Sequence, residues 1–430
     1  MNAAPQISQP YIPNAGERAQ KSRMRLDKRS QLRIWWREID RVLLVMILLL
    51  MAIGTVAVAA ASPASARRLS TSAVKLDDLY FYWLHLRWQF LGILTMLGVS
   101  MAPRDWARRG AIVLCAVMLA GLILVPFVGS EVNGAKRWLR FGISLQPSEF
   151  LKPAYAITMA WILSWRVRDP RLPVIAIATG LMGLIVALLM MQPDFGSAIL
   201  YVGCWGVLVL LSGIDMRRIG MLAGAGIAGI GATYLLYDNA RHRIDAFLGG
   251  GTAYDQVDLA RRTLMSGGWT GSGLWLGTRK LSLPEAHTDY IFSVIGEEFG
   301  LLICALVVVL YLAIIARVLV RLVNEDNLFT ILSASGLIAL IGGQAFINIL
   351  VNLQLFPSKG MTLPLVSYGG SSTIALCLTV GLMLAMTRRN PYLSRDRFDL
   401  MAALAKAEGA KEEGLREGSR RITRAKGGRR

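Results

Sequence analysis

About ten mostly apolar runs, each long enough to cross a hydrocarbon layer of about 30 Å, dominate the chain. They cover residues 42–61, 81–102, 110–128, 150–165, 172–191, 195–213, 218–237, 290–316, 328–352 and 370–386. In lipid the backbone polar groups of such a run must be satisfied within the protein, and runs of this length do so as helices. The expectation is therefore an all-α, polytopic membrane protein. Composition agrees, with 54% hydrophobic and 17% charged residues, and the apolar residues fall in blocks rather than amphipathic stripes. An even number of crossings puts both ends on one side.

Lys and Arg in short loops or beside a span resist translocation, so their placement gives the side. The tails, residues 1–41 and 388–430, carry nine and thirteen Lys and Arg against four and six acids, and hold 12 of the net +19. Both tails are expected in the cytoplasm, flanking a membrane domain over 42–387. Arg104, Arg108, Arg109, Arg166, Arg168, Arg171, Arg217, Arg218, Arg317 and Arg321 fall in short connections on that same side. The basic balance then reads as topology signals touching anionic membrane lipid, and it does not argue for nucleic acid. The opening ~30 residues have a disordered composition, and 399–417 reads as a short helix. The first apolar run follows a long polar stretch, so it is expected to anchor rather than be cleaved. Cys115, Cys204, Cys304 and Cys377 all fall inside spans without a paired spacing, which points to small buried side chains rather than disulfides or zinc ligands.

This topology leaves residues 62–80, 129–149, 238–289 and 353–369 outside, and the third is far longer than an ordinary connection, which usually signals function. It ends in LPEAHTDYIFSVIGEE, where Glu285, His287, Asp289, Glu297 and Glu298 run straight into an apolar span. Ionisable groups at the mouth of a span are expensive unless they are used. The segment 129–149 carries Lys136, Arg137 and Arg140 around Trp138, then Gln146, Pro147, Ser148 and Glu149 at the entry to the next span, with Lys152 just inside it. Cations on the outer side suit an anion such as a lipid-linked phosphate. Lys152 needs a partner, from Glu149, another carboxylate or a ligand. One of Glu297 and Glu298 is expected to pair with a cation such as Lys152. In the tight turn QPDFGSA, Asp194 can cap the following helix, with a catalytic role as the alternative. The last outer segment, FPSKGMTLPLVSYGGSS, brings Lys359 and Ser367 towards the final span. Irregular backbone at membrane depth is tolerated where it lines a cavity or is buried in protein, so a cavity among these segments is expected.

The motifs NGAKRW…QPSEFLK, QPDFGSA, LPEAHTDYIFSVIGEE and PSKGMTLPLVSYGGSS, in this order and separated by these spans, resemble the SEDS family (shape, elongation, division and sporulation) of peptidoglycan polymerases. The likeness covers roughly 41–391. PSKGMTLP is similar to the division-type members, with an elongation-type polymerase as the sister alternative. Tyr290 stands where the family usually has Phe, and Leu274–Trp275–Leu276 replaces a turn often rich in Gly and Pro. The resemblance implies polymerisation of lipid II into β-1,4 glycan strands on the outer face of the bacterial cytoplasmic membrane, with release of undecaprenyl pyrophosphate. It implies as partners the nascent strand, a class B penicillin-binding protein transpeptidase and other division-complex membrane proteins, at the septum. A diphosphate leaves readily as an anion, so one carboxylate base and several cations suffice for an inverting displacement. Asp289 is the candidate base, Glu285 and His287 its positioning neighbours. Lys136, Arg137, Lys152 and Lys359 are candidates for the diphosphate, with Trp138 and Ser367 also on the substrate. No ligand spacing marks a metal site, and a divalent cation is left open as a helper. A lipid II flippase and a scaffold without catalysis are the competing classes; a carrier, however, usually gathers its ionisable groups near the midplane and shows repeated halves.

Overall fold

The computed structural model describes residues 28–71, 74–132, 135–141, 143–167, 169, 171–213, 256–357 and 360–388, with isolated positions between 220 and 245. The chain separates into two units, residues 1–39 with 388–430, and Asp40–Thr387. In the first, α1 (Lys28–Glu38) is described. The predicted tail helix over 399–417 lies outside the described residues, as do most of the seventh predicted span, most of the loop up to position 255, and Lys359.

The second unit begins with α2 (Arg41–Leu69), α3 (Tyr80–Ser100) and α4 (Arg104–Val128). Asp40 caps α2 by accepting the Leu43 N–H at 3.2 Å. The same carboxylate pairs with Arg317 at 2.8 Å and Arg321 at 2.6 Å, pinning the start of α2 to a distant helix. Between α4 and the next helix, in the stretch expected to be a plain loop, lies a three-stranded antiparallel meander of β1 (Ser130–Val132), β2 (Ala135–Phe141) and β3 (Ile143–Leu145). Two of its strands have three residues each, too short to announce themselves by alternation.

Pro147 opens α5 (Pro147–Ser164), the first helical position being where its missing N–H is harmless. This helix is the centre of the bundle. Leu151, Tyr155, Ile157 and Met159 are fully buried, and it packs on α4 and on α10. Next come α6 (Val174–Met191) and α7 (Phe195–Leu211), the latter capped by Asp194 through the Ser197 N–H at 3.2 Å, as anticipated. The remaining elements are α8 (Gln256–Ser266), α9 (Ile291–Leu322), α10 (Leu328–Asn352) and α11 (Ser371–Met386). Among the described residues, nine helices thus sit on nine of the predicted runs, and all four cysteines are buried and unpaired.

Two helices depart from regularity where the long outer segment docks. At Gly300, φ is 84° and ψ 173°, so α9 breaks after its first turns. The glycine-rich stretch after α8 fills the break. Ser272 and Gly273 donate their N–H groups to the Glu297 and Glu298 carbonyls at 2.8 and 3.0 Å, and Leu301 and Leu302 donate to the Gly268 and Trp269 carbonyls at 3.0 and 3.3 Å. Gly271 is required by this approach, since its φ is +82° and a Cβ there would collide with the Glu298 backbone. In α2, Pro63 offers no N–H to the carbonyl of Ala59. The Trp275 indole N–H takes that place at 3.0 Å.

Candidate active site

Asp289 sits immediately before α9, half-buried, in a small hollow lined by Tyr290, Asn348, Val351, Gly360 and Met361. One face of α10 builds this hollow. Gln344, Asn348 and Asn352 lie four residues apart, so they stack on one side of the helix. Asn348 donates to the backbone carbonyls of Asp289 at 2.8 Å and Met361 at 2.6 Å, stapling the two outer segments together. Asn352 donates to the same Asp289 carbonyl at 3.2 Å, while its own oxygen accepts from the Ser293 hydroxyl at 2.7 Å. Gln344 donates to the Thr362 carbonyl at 3.0 Å and accepts from Lys152 at 3.2 Å. Lys152 in turn pairs with Glu149 at 2.6 Å, which meets the need for a partner that its position inside a span created.

The turn that presents Asp289 is held by its own neighbours. Glu285 has φ 51°, a left-handed conformation that is uncommon away from glycine. Its carboxylate accepts the Thr288 hydroxyl at 2.8 Å, and its carbonyl accepts the Thr288 and Tyr290 N–H groups at 3.1 and 3.3 Å. His287 is buried between the rings of Phe81 and Tyr368, with centroids 4.3 and 5.4 Å away, and its Nδ1 lies 2.8 Å from the Ser65 hydroxyl. Burial pushes its pKa down to about 4, against the opposing pull of Glu285, so the imidazole is neutral near pH 7. It is suited to holding the turn rather than to carrying charge.

Glu297 and Glu298 are both satisfied, but not by Lys152. Glu297 accepts the backbone N–H groups of Arg279 and Lys280 at 2.7 and 2.9 Å. Glu298 accepts the Trp275 N–H and forms a buried ion pair with Lys280, which also donates to the Ala60 carbonyl at 2.9 Å. These carboxylates therefore clamp the outer segment onto α9 and α2.

The remaining candidates are spread over the same side of the bundle. Lys136 is exposed on β2 and Trp138 is half-buried on the same strand. Arg137 donates to the Gln192 carbonyl at 3.1 Å and to the Pro193 carbonyl, tying the meander to the turn before α7. Ser367 is buried and its hydroxyl accepts the Leu363 N–H at 2.8 Å, closing a turn. Glu285, His287 and Asp289 thus share one turn, and Lys152 reaches the segment beside it through Gln344. Arg137 and Ser367 are engaged by backbone instead. The amide row of α10 was not among the candidates, although three amides at four-residue spacing in an otherwise apolar run are a legible signal.

The model of the FtsW/RodA/SpoVE family of cell cycle proteins matches residues 40–392, most of the chain. The chain belongs to this family. Within it, the chain is 37% identical over 367 residues to the probable peptidoglycan glycosyltransferase FtsW of Caulobacter vibrioides, covering 84% of this chain and 93% of that protein. It is 35% identical to the protein of the same description from Hahella chejuensis, covering 80% and 89%. Among solved structures, the Thermus thermophilus rod shape determining protein RodA superposes with a TM-score of 0.61 at 27% identity, covering 82% of this chain and 97% of that one. A chain from a peptidoglycan synthase complex, described as coordinating polymerization and crosslinking, gives a TM-score of 0.68 at 27% identity, covering 81% and 97%. The family resemblance drawn from the motifs is confirmed, and so is the helical membrane fold.

Proposed function

We propose that this protein is a peptidoglycan glycosyltransferase that joins lipid II disaccharides into β-1,4 glycan strands, acting in cell division. The observation that carries the reading is Asp289 in its hollow, between the start of α9 and the Gly360–Met361 backbone, in a chain whose relatives bear the name of that activity. The acceptor sugar's 4-hydroxyl loses its proton to the Asp289 carboxylate as its oxygen attacks the anomeric carbon of the lipid-linked donor. The bond from that carbon to the diphosphate oxygen breaks with the electron pair, giving undecaprenyl pyrophosphate and an inverted linkage. A leaving diphosphate needs charge stabilisation rather than a proton. Lys136 and Lys359 are the cations proposed for that role, and Lys152 supports the Thr362 backbone through Gln344.

The Lys and Arg distribution favours cytoplasmic tails and so supports an outer-face position for Asp289, while the likeness of PSKGMTLP to division-type members supports action at the septum. Crosslinking is assigned to a class B penicillin-binding protein partner, in keeping with the likeness of the fold to a chain of a synthase complex described as coordinating polymerization and crosslinking. The test is the purified protein in detergent with lipid II, with and without that partner. Glycan strands are the expected product. Redistribution of lipid II across sealed vesicles without any polymer would instead support the carrier reading.

A further inference from the structure

The outer segment that plugs the break in α9 exposes an apolar lobe. Trp269 is 73%, Leu276 69% and Trp275 53% exposed, and Leu274 is exposed beside them. Soluble loops rarely display such a cluster without a partner. Its depth can be worked out from the helices it touches. The Asp40–Arg317–Arg321 cluster ties α2 and α9 together at one end and supplies a common origin. From there a hydrocarbon layer of about 30 Å takes about 20 helical residues. Counting up α2 from Asp40 reaches Ala60, and counting back along α9 from Arg321 reaches Leu301, beside the Gly300 break.

Those are the places where the lobe docks, through Trp275 to Ala59, Lys280 to Ala60, and Trp269 beside Leu302. Two independent counts therefore set the four apolar side chains at the hydrocarbon boundary, where tryptophan is enriched. Exposed Val56 on α2, below the docking point, and Leu302 and Leu306 on α9 continue the same apolar surface into the span. Just beyond the boundary, exposed Arg67 and Arg68 border an open cleft floored by Ala64 and Leu281, with exposed Arg279 nearby in the chain. Guanidinium groups above an apolar lobe complement a layer of phosphodiester headgroups above acyl chains.

We infer that residues 269–281 form an interfacial anchor that rests in the lipid leaflet farther from the Asp40–Arg317–Arg321 cluster, with Trp269, Leu274, Trp275 and Leu276 at the acyl–headgroup boundary. The anchor is rigidly coupled to the Asp289 turn, because Glu297 and Glu298 clamp it to the first turns of α9.

The test is site-directed spin labelling of the full chain in phosphatidylglycerol-containing nanodiscs. Leu276→Cys and Trp269→Cys are labelled separately, with Lys136→Cys as the aqueous control, and the unlabelled-site parent as baseline for its four buried cysteines. Labels at 276 and 269 are expected to collide more with oxygen than with a water-soluble nickel chelate, and the control label the reverse. Nickel-dominated collisions at both lobe positions would overturn the inference by placing the lobe in water. A label shielded from both reagents would overturn it too, by assigning the lobe to a protein surface.

Discussion

Replacing Lys280 by Met should be among the most damaging single changes outside the Asp289 hollow. Lys280 is 2% exposed and Glu298 1%, and the ammonium group is shared between that carboxylate and the Ala60 carbonyl. Without it, among the described residues, Glu298 keeps only the Trp275 N–H as a donor. Removing one member of a buried ion pair typically costs about 3–5 kcal/mol, because the other charge stays desolvated. Losing the bond to Ala60 adds about 1 kcal/mol. Glu298→Gln strands the lysine instead and should fall in the same range of about 3–5 kcal/mol. The double variant Lys280→Met/Glu298→Gln removes both charges while Gln can still accept the Trp275 N–H, so it should recover at least about 2 kcal/mol relative to additivity. Equilibrium unfolding by SDS titration in mixed micelles measures all three against the parent. Single variants within about 0.5 kcal/mol of the parent, or strictly additive losses, would refute the clamp.

Three further outcomes follow from the geometry. Asn348→Ala removes the Asn348 bond to the Met361 carbonyl and leaves the Asp289 carbonyl to Asn352, so polymerisation should show a kcat at least tenfold lower with KM little changed; a loss confined to KM would contradict a positioning role. Arg137→Gln should lower folded yield because Arg137 ties the meander to the Gln192–Pro193 turn, whereas Lys136→Gln should leave yield intact and slow turnover, as size-exclusion recovery and rate assays on both variants would show. For His287, the folded pKa of about 4 lies below the ordinary 6.5, so the folded state binds fewer protons than the opened one. Stability should thus be flat above pH 6.5 and decline by up to about 3 kcal/mol as pH falls to 4, and His287→Gln should flatten that slope.

The spans were legible because an apolar run of membrane length has few other fates, and the Asp194 cap and the Lys152–Glu149 pair were legible because both partners are close in sequence. The clamp was not. Lys280 lies in a turn-rich stretch whose docking onto α9 depends on backbone hydrogen bonds at Gly300, and backbone partners leave no side-chain signature. For the same reason the tie of Arg137 to the turn before α7 was not legible, since nothing in the residue types of Gln192 and Pro193 announces two carbonyls turned towards it. The meander escaped because two of its strands have three residues each. The row of Gln344, Asn348 and Asn352 is different, being plain in the sequence once the helical period of the span is laid out.

Proton transfer to Asp289 is the central step, and the decisive measurement is lipid II polymerisation by purified Asp289→Asn beside the parent. Asn is close to isosteric but cannot accept a proton at neutral pH, so the variant should fold, bind its partner and form no glycan strands. Strands made at a rate near that of the parent by a correctly folded variant would contradict the assignment.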